Sequence, residues 1–347
     1  MSPRILISLA FVMLLHFRSA PAEDWTAVLD LRGQWKIEMG DQVQWAEPSY
    51  DDRTWEDIFV PAPWEDEGFP GYDGYAWYRK HFTANAKMRE EGIYLHLGNV
   101  DDVCEVFLNG NLIGYTGSFP PAYTTAYDAT VQLPVAPALF RTTGENVLAV
   151  RVYDRELSGG ILRGQIGFYQ RQGMLVPDLS LAGIWKFRTG DNTTWAASSL
   201  DDREWKDLVV PALWDIAGLR DYDGYGWYRL SFRIPEKLRD QRLVLVMGKI
   251  DDLDETYING ERVGRTGRMP GSTGYADLGN TYTTLRAYTI PPGVLHPGMN
   301  TIAVRVYDGF LHGGIYEGPV GLVTRDRFRK WQNANESQWE RFFNLFR

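Results

Sequence analysis

The sequence predicts an all-β protein: two tandem jelly-roll-like β-sandwiches followed by a short C-terminal helix. Three observations carry that expectation. Residues 31–82 recur at 181–232 with a constant offset of 150 and roughly half the positions identical, the mark of a tandem duplication. Within each copy, short runs rich in Val, Ile, Tyr, Phe and Trp are punctuated by Gly, Pro, Asn and Asp, and long amphipathic helices are missing. Finally, 44% hydrophobic and 14% aromatic residues in 347 supply more than one core, yet the length cannot hold two such units and a barrel of about 250 residues.

In chain order the expected parts are a signal segment (1–22), a first sandwich (23–175), a second (176–324) and an amphipathic tail (325–347). Arg4, the apolar run Ile5 to Leu15 and the small-x-small site Ala20-Pro21-Ala22 before Glu23 have the form of a secretory signal, so a secreted or periplasmic location is expected. Cleavage there removes Arg4 and Arg18 and no acid, taking the net charge from −9 to −11. No overall field attracts phosphate backbones, which argues against nucleic acid as a partner. No later stretch approaches the roughly 18 apolar residues of a membrane span. The single cysteine, Cys104, rules out an intrachain disulfide, so burial must hold the domains together.

Strands of the first copy are expected near Gln34–Glu38, Asp57–Val60, Ala76–Phe82, Ile93–Leu97, Glu105–Leu108, Leu112–Tyr115, Thr130–Leu133, Val147–Tyr153 and Gln165–Tyr169. Asn109-Gly110 between two apolar runs accepts the positive φ of a tight hairpin, and Asn259-Gly260 predicts the same turn in the second copy. In the tail, Phe328, Trp331, Trp339, Phe342, Phe343 and Phe346 fall at spacings of one helical face. That stripe should pack on the second sandwich or on a neighbouring subunit, with a membrane surface as the lesser alternative.

Catalytic patterns are sparse. The histidines that would remain after signal cleavage show no metal-ligand spacing, and no Gly-x-Ser-x-Gly elbow or phosphate-binding loop occurs. Cys104 stands where the second copy has Asp254, which suits an unreactive thiol better than a nucleophile. Asp51-Asp52 and Asp201-Asp202 read as turn formers. So do Asp101-Asp102 and Asp251-Asp252, with structural calcium held by their oxygens as the lesser alternative. No other cofactor is expected. In Tyr72 to Arg79 and its copy the aromatics alternate, placing Tyr75 and Trp77 on one face and Tyr78 on the other. Tyr72, Asp73 and Tyr75, with Tyr222, Asp223 and Tyr225, could pair flat rings with polar groups for a sugar, although core packing is the simpler use. Asp154 and Asp308 each end an apolar strand before a loop closing in Gly-Gly-Ile, a position equally suited to ligand contact and loop capping.

Taken as a set, Gly33-Gln34-Trp35, Val60-Pro61, Trp64, Trp77-Tyr78-Arg79, Leu97-Gly98, Asp101-Asp102, Asn109-Gly110, Asn146 and Gly159-Gly160-Ile161 resemble the sugar-binding jelly-roll domain of glycoside hydrolase family 2 enzymes, such as β-galactosidases, and the related domain of sialate O-acetylesterases. The second copy repeats the pattern from Gly183-Ile184-Trp185 to Gly313-Gly314-Ile315, so the resemblance covers the chain from the first copy to the tail. It implies that Asp154 and Asp308 reach toward a sugar site and that the loop before Trp-Tyr-Arg approaches it. In those enzymes the catalytic glutamates, or the esterase Ser and His, sit on a separate domain with no counterpart in this sequence. The leading expectation is therefore a secreted, non-catalytic carbohydrate-binding protein. A β-galactosidase-like glycosidase, or an accessory subunit of one, stays open, as does a structural scaffold that self-associates through its tail.

Overall fold

The computed structural model describes residues 25–335 except 91, 220–221, 271–278, 280 and 311. The signal segment and tail residues Trp339, Phe342, Phe343 and Phe346 lie outside them. The regular structure is almost all antiparallel strand, and it builds two sandwiches, each from a four-stranded and a six-stranded sheet.

The first sandwich contains β1 (Trp25–Asp30), β2 (Gly33–Met39), β3 (Glu56–Val60), β4 (Gly74–Phe82), β5 (Ile93–Val100), β6 (Val103–Leu108), β7 (Asn111–Thr116), β8 (Thr130–Pro134), β9 (Asn146–Asp154) and β10 (Ile161–Arg171). Its sheets have the orders β1-β10-β5-β8 and β3-β2-β4-β9-β6-β7. Each of the nine expected strands is present, joined by β1, which the sequence reading left out.

The second copy repeats this with β11 (Leu179–Ser180), β12 (Gly183–Thr189), β13 (Lys206–Val210), β14 (Gly224–Arg233), β15 (Leu243–Asp251), β16 (Leu253–Ile258), β17 (Glu261–Thr266), β18 (Leu285–Thr289), β19 (Met299–Asp308) and β20 (Gly314–Thr324). The orders β11-β20-β15-β18 and β13-β12-β14-β19-β16-β17 match the first copy strand for strand.

The main cores lie between the sheets, where Trp35, Ile58, Tyr78, Leu95, Val150 and Phe168 meet in the first sandwich and Trp185, Tyr228, Leu245, Val304 and Leu322 in the second. The six-stranded sheet is also covered on its outer face. There Trp45, Trp55, Trp77 and Phe107 form a satellite cluster in the first copy, and Trp205, Trp227, Ala196 and Ala303 in the second. This explains why Trp77 and Tyr78, adjacent and oppositely directed, are both fully buried.

A buried arginine fastens that outer layer. Arg79 donates to Asp52 Oδ2 at 2.6 Å and to the carbonyl oxygens of Trp45, Glu47 and Tyr50. Asp51 serves the expected turn by accepting from the Arg53 amide, whereas Asp52 is also an ion-pair partner.

Asn109 (φ 52°) and Asn259 (φ 51°) make the expected hairpin turns, each followed by a positive-φ glycine. Each also donates its amide to a buried asparagine, Asn146 or Asn300, at 2.8 Å. Gly98 and Gly248 are fixed by close approach: a Cβ there would sit 1.9 Å from the Arg163 carbonyl oxygen and 1.8 Å from that of Glu317.

The chain ends in α1 (Arg325–Asn335). Phe328 and Trp331 pack with Val244, Val246, Val323 and Leu175, so the described part of the aromatic stripe is spent on the second sandwich. No described helix is long and apolar enough to cross a membrane.

Candidate functional site

One end of each sandwich gathers carboxylates from three separated segments. In the first copy, Asp101 and Asp102 sit at the β5–β6 turn, Asp154 ends β9, and Asp73 precedes β4, which pairs with β9 through Gly74 and Asp154. The second copy repeats the set as Asp251, Asp252, Asp308 and Asp223, with Gly224 opposite Asp308.

Asp154 has no solvent exposure. Its Oδ1 accepts from the Glu156 amide at 3.0 Å, while Oδ2 has no hydrogen-bond partner. The Gly-Gly loop closes over it, since a Cβ on Gly159 would lie 2.7 Å from Oδ2 and 2.0 Å from the Trp64 ring. Burial, reinforced by the charges of Asp101, Asp102 and Asp73, pushes the Asp154 carboxyl up to about 7. Burial and neighbouring Asp102 raise Asp101 to about 6. Asp308 and Asp251 follow the same pattern, pushed up to about 7 and about 6, again first by burial and then by neighbouring carboxylates.

Above the first cluster is a cavity of 510 Å³ lined by Asp101, Asp102, Tyr123, Thr125, Tyr127, Arg155, Glu156, Leu157, Ser158 and Leu162. Its size suits a small organic ligand. Thr125 donates to Asp102 Oδ1, and the Arg155 amide donates to Asp102 Oδ2 at 2.9 Å. The Arg155 guanidinium lies over the Tyr123 ring, 5.4 Å from its centroid. The cavity thus combines aromatic faces, carboxylate acceptors and a guanidinium donor, the mixture a polyhydroxylated ring requires.

The expected site residues divide between this cluster and the scaffold. Asp73 and Asp154, like Asp223 and Asp308, interact electrostatically within one cluster. The Tyr72 ring packs against Trp64 and its hydroxyl donates to the Tyr75 carbonyl at 2.7 Å; Tyr222 makes the same bond to Tyr225 at 2.9 Å. Tyr75 stacks on Phe119, with its centroid 4.7 Å from that of Tyr153, which in turn meets Tyr123. Tyr225 sits under the Arg305 guanidinium, 4.7 Å from its centroid. Sequence reasoning missed Tyr123, Tyr127 and Arg155. They lie on long connections without strand periodicity, and only the position of Arg155 directly after Asp154 signalled it.

A second cavity, of 330 Å³, opens between the sandwiches, lined by Tyr115, Gln132 and Leu133 on one side and Pro211, Ile216, His312 and Tyr316 on the other. His312 Nδ1 lies 3.3 Å from Asp215 Oδ2.

Comparison with known proteins places these features. Residues 40–158 match the family model described as the beta-galactosidase second all-beta domain. Beta-galactosidase BoGH2A of Bacteroides ovatus is 26% identical over 203 residues, covering 50% of this chain and 20% of the relative. A beta-galactosidase of Thermoanaerobacter pseudethanolicus is 30% identical over 82 residues, covering 23% of this chain and 10% of the relative. The chain therefore spans a fifth or less of these relatives' length. Among solved structures, a Bacteroides uniformis beta-glucuronidase aligns at 14% identity and TM-score 0.35, over 83% of this chain and 28% of that one. What this chain shares with these relatives is an all-β domain, matched in the first sandwich over residues 40–158.

Proposed function

We propose that the protein is a secreted or periplasmic, non-catalytic carbohydrate-binding protein whose first sandwich holds a sugar ring in the 510 Å³ cavity beside Asp101 and Asp102. The observation that carries this reading is the pairing of Tyr123 and Tyr127 with Arg155 and the aspartates in one cavity, on a domain similar to a beta-galactosidase sandwich. The rings offer apolar faces to sugar C–H groups, while the carboxylates accept and the guanidinium donates to hydroxyls. Asp154 lies beneath the Gly159 loop and accepts from the amide of Glu156, which lines the cavity.

A glycan array, followed by calorimetry on the best ligand, tests the reading. Binding should be lost in Tyr123→Ala and Arg155→Ala variants that keep the native circular dichroism spectrum. Retained binding in both would refute this location. Unaided turnover of a nitrophenyl glycoside at enzymatic speed would overturn the non-catalytic reading.

A further inference from the structure

The joint between the sandwiches uses two surfaces that the duplication has made twice. One is the open edge of the first sandwich, where β7 and β8 each end a sheet. The other is the stretch after β13 in the second sandwich, which runs from Pro211 into the short turn Trp214–Ala217 and packs on β7. Their duplicates are the β17–β18 edge of the second sandwich and residues 61–67 of the first. Among the described residues these duplicates are the less covered pair. Ile113, Gly114, Pro211 and Ala212 are buried in the joint, whereas Val263, Gly264, Pro61 and Ala62 at the matching positions are only half-buried.

The residues that diverge between joint and duplicate have changed in a matched way. In the joint, Tyr115 on β7 and Ile216 on the turn line the same 330 Å³ cavity. Their duplicates are Arg265 and Asp66, both exposed. Around the edge, Arg262 and Arg268 stand where the first copy has Leu112 and Ser118; on the turn, Glu65 and Glu67 flank Asp66. An apolar contact within the chain is thus replaced, on its two free surfaces, by a basic edge and an acidic turn. Arg262 is paired with Glu255, and the Glu65 and Glu67 carboxylates accept the Gly159 and Phe59 amides. Among the described residues, no ion pair engages Asp66 or Arg265. Charge on an edge strand also deters stray strand pairing, but that purpose requires no acids on the matching turn.

We propose that the protein self-associates head to tail: the acidic turn of one copy's first sandwich docks on the β17 edge of a second copy's second sandwich, as the two sandwiches dock within the chain, with Asp66 facing Arg265. The two surfaces differ, so the contact is heterologous and, when repeated, closes a ring or extends a filament. Opposite charges choose the partner and its register, and they make the association weak and salt-sensitive. It requires no sugar in the first-sandwich cavity, so either reading can fail without the other.

The test is sedimentation velocity of the full chain at concentrations up to about 1 mM, where contacts held by exposed charges become measurable. Salt is set at about 0.01 M and about 1 M, at which charges act over roughly 30 Å and 3 Å. Average mass should rise with protein concentration in low salt, and high salt should remove most of the rise. Asp66→Arg and Arg265→Asp should each weaken association by roughly tenfold or more, because each sets like charges face to face. The two changes move the net charge in opposite directions, so overall repulsion cannot explain a loss in both. Both positions are exposed, and the circular dichroism spectrum should stay native. Carrying both changes in one chain, or mixing the two single variants, should restore association. The proposal falls if wild type stays monomeric in low salt, if either single variant associates like wild type, or if the combined changes restore nothing. Association that survives both single changes runs through another surface, the tail included, and equally overturns it.

Discussion

Asp254 and Arg286 form an ion pair 3.1 Å long in the second sandwich with both side chains wholly excluded from solvent. The duplicated positions in the first sandwich are Cys104 and Val131, both buried. The exchange extends outward: Thr256 and the Tyr288 hydroxyl donate to Asp254, where the first copy has Val106 and Leu133. One backbone thus accepts either an apolar cluster or a polar network, provided that all its members change together.

Removing one partner should therefore be far worse than replacing the network. Arg286→Val alone leaves a buried carboxylate unpaired and should cost about 3–5 kcal/mol. Adding Asp254→Cys, Thr256→Val and Tyr288→Leu should recover most of that loss. Urea denaturation of the single and quadruple variants checks it; equal stabilities would contradict the argument.

Arg79 offers a similar test on the outer face. Arg79→Met removes the guanidinium from Asp52, which is 6% exposed and keeps only His81 Nε2 at 2.8 Å as a side-chain partner, and removes donors from three carbonyl oxygens. A loss of about 3 kcal/mol is expected. The Trp45–Trp55 cluster should loosen first, so tryptophan emission should shift to longer wavelength before the far-ultraviolet spectrum changes.

The fold was legible because alternation and turn residues are local signals: Asn109-Gly110 specifies its hairpin within two residues, and the duplication supplies an independent second reading. The short β1 escaped because Trp25–Asp30 buries little of itself and its pattern does not alternate. The role of Arg79 was hidden for a different reason. Its partners Trp45, Glu47, Tyr50 and Asp52 lie 27 to 34 residues away, and only the folded chain brings them together. Asp154 was recognisable at its strand end, whereas Tyr123 and Tyr127 stand in an irregular connection that no periodicity singles out.

Burial of Asp154, reinforced by the acids around it, gives the first sandwich a pH dependence. Asp154 is raised from its ordinary value of 3.8 to about 7, so the folded protein keeps a proton that the unfolded chain has already released. Between those limits stability must fall as pH rises, by at most about 1.4 kcal/mol per pH unit for this group, and it levels off above pH 7. Asp154→Asn, which keeps the shape of the protonated acid, should flatten this decline and make the protein more stable than wild type at pH 8. Chemical denaturation across pH 4–8 reads both effects; an unchanged slope would count against the buried-acid account.

The terminal helix ties down more than itself. Besides Phe328 in the apolar cluster, Trp331 donates to the Gly173 carbonyl at 2.8 Å, and Arg327 binds Asp178 and the Val176 carbonyl, so α1 grips the connection between the sandwiches. Phe328→Ala should cost about 3 kcal/mol, as for other buried aromatics reduced to alanine. Because the same helix holds both places, amide exchange should accelerate together in residues 173–178 and 325–335 while β14 and β19 stay protected. Faster exchange in the helix alone would mean that the connection is held by the sandwiches themselves and that α1 merely rests on the surface.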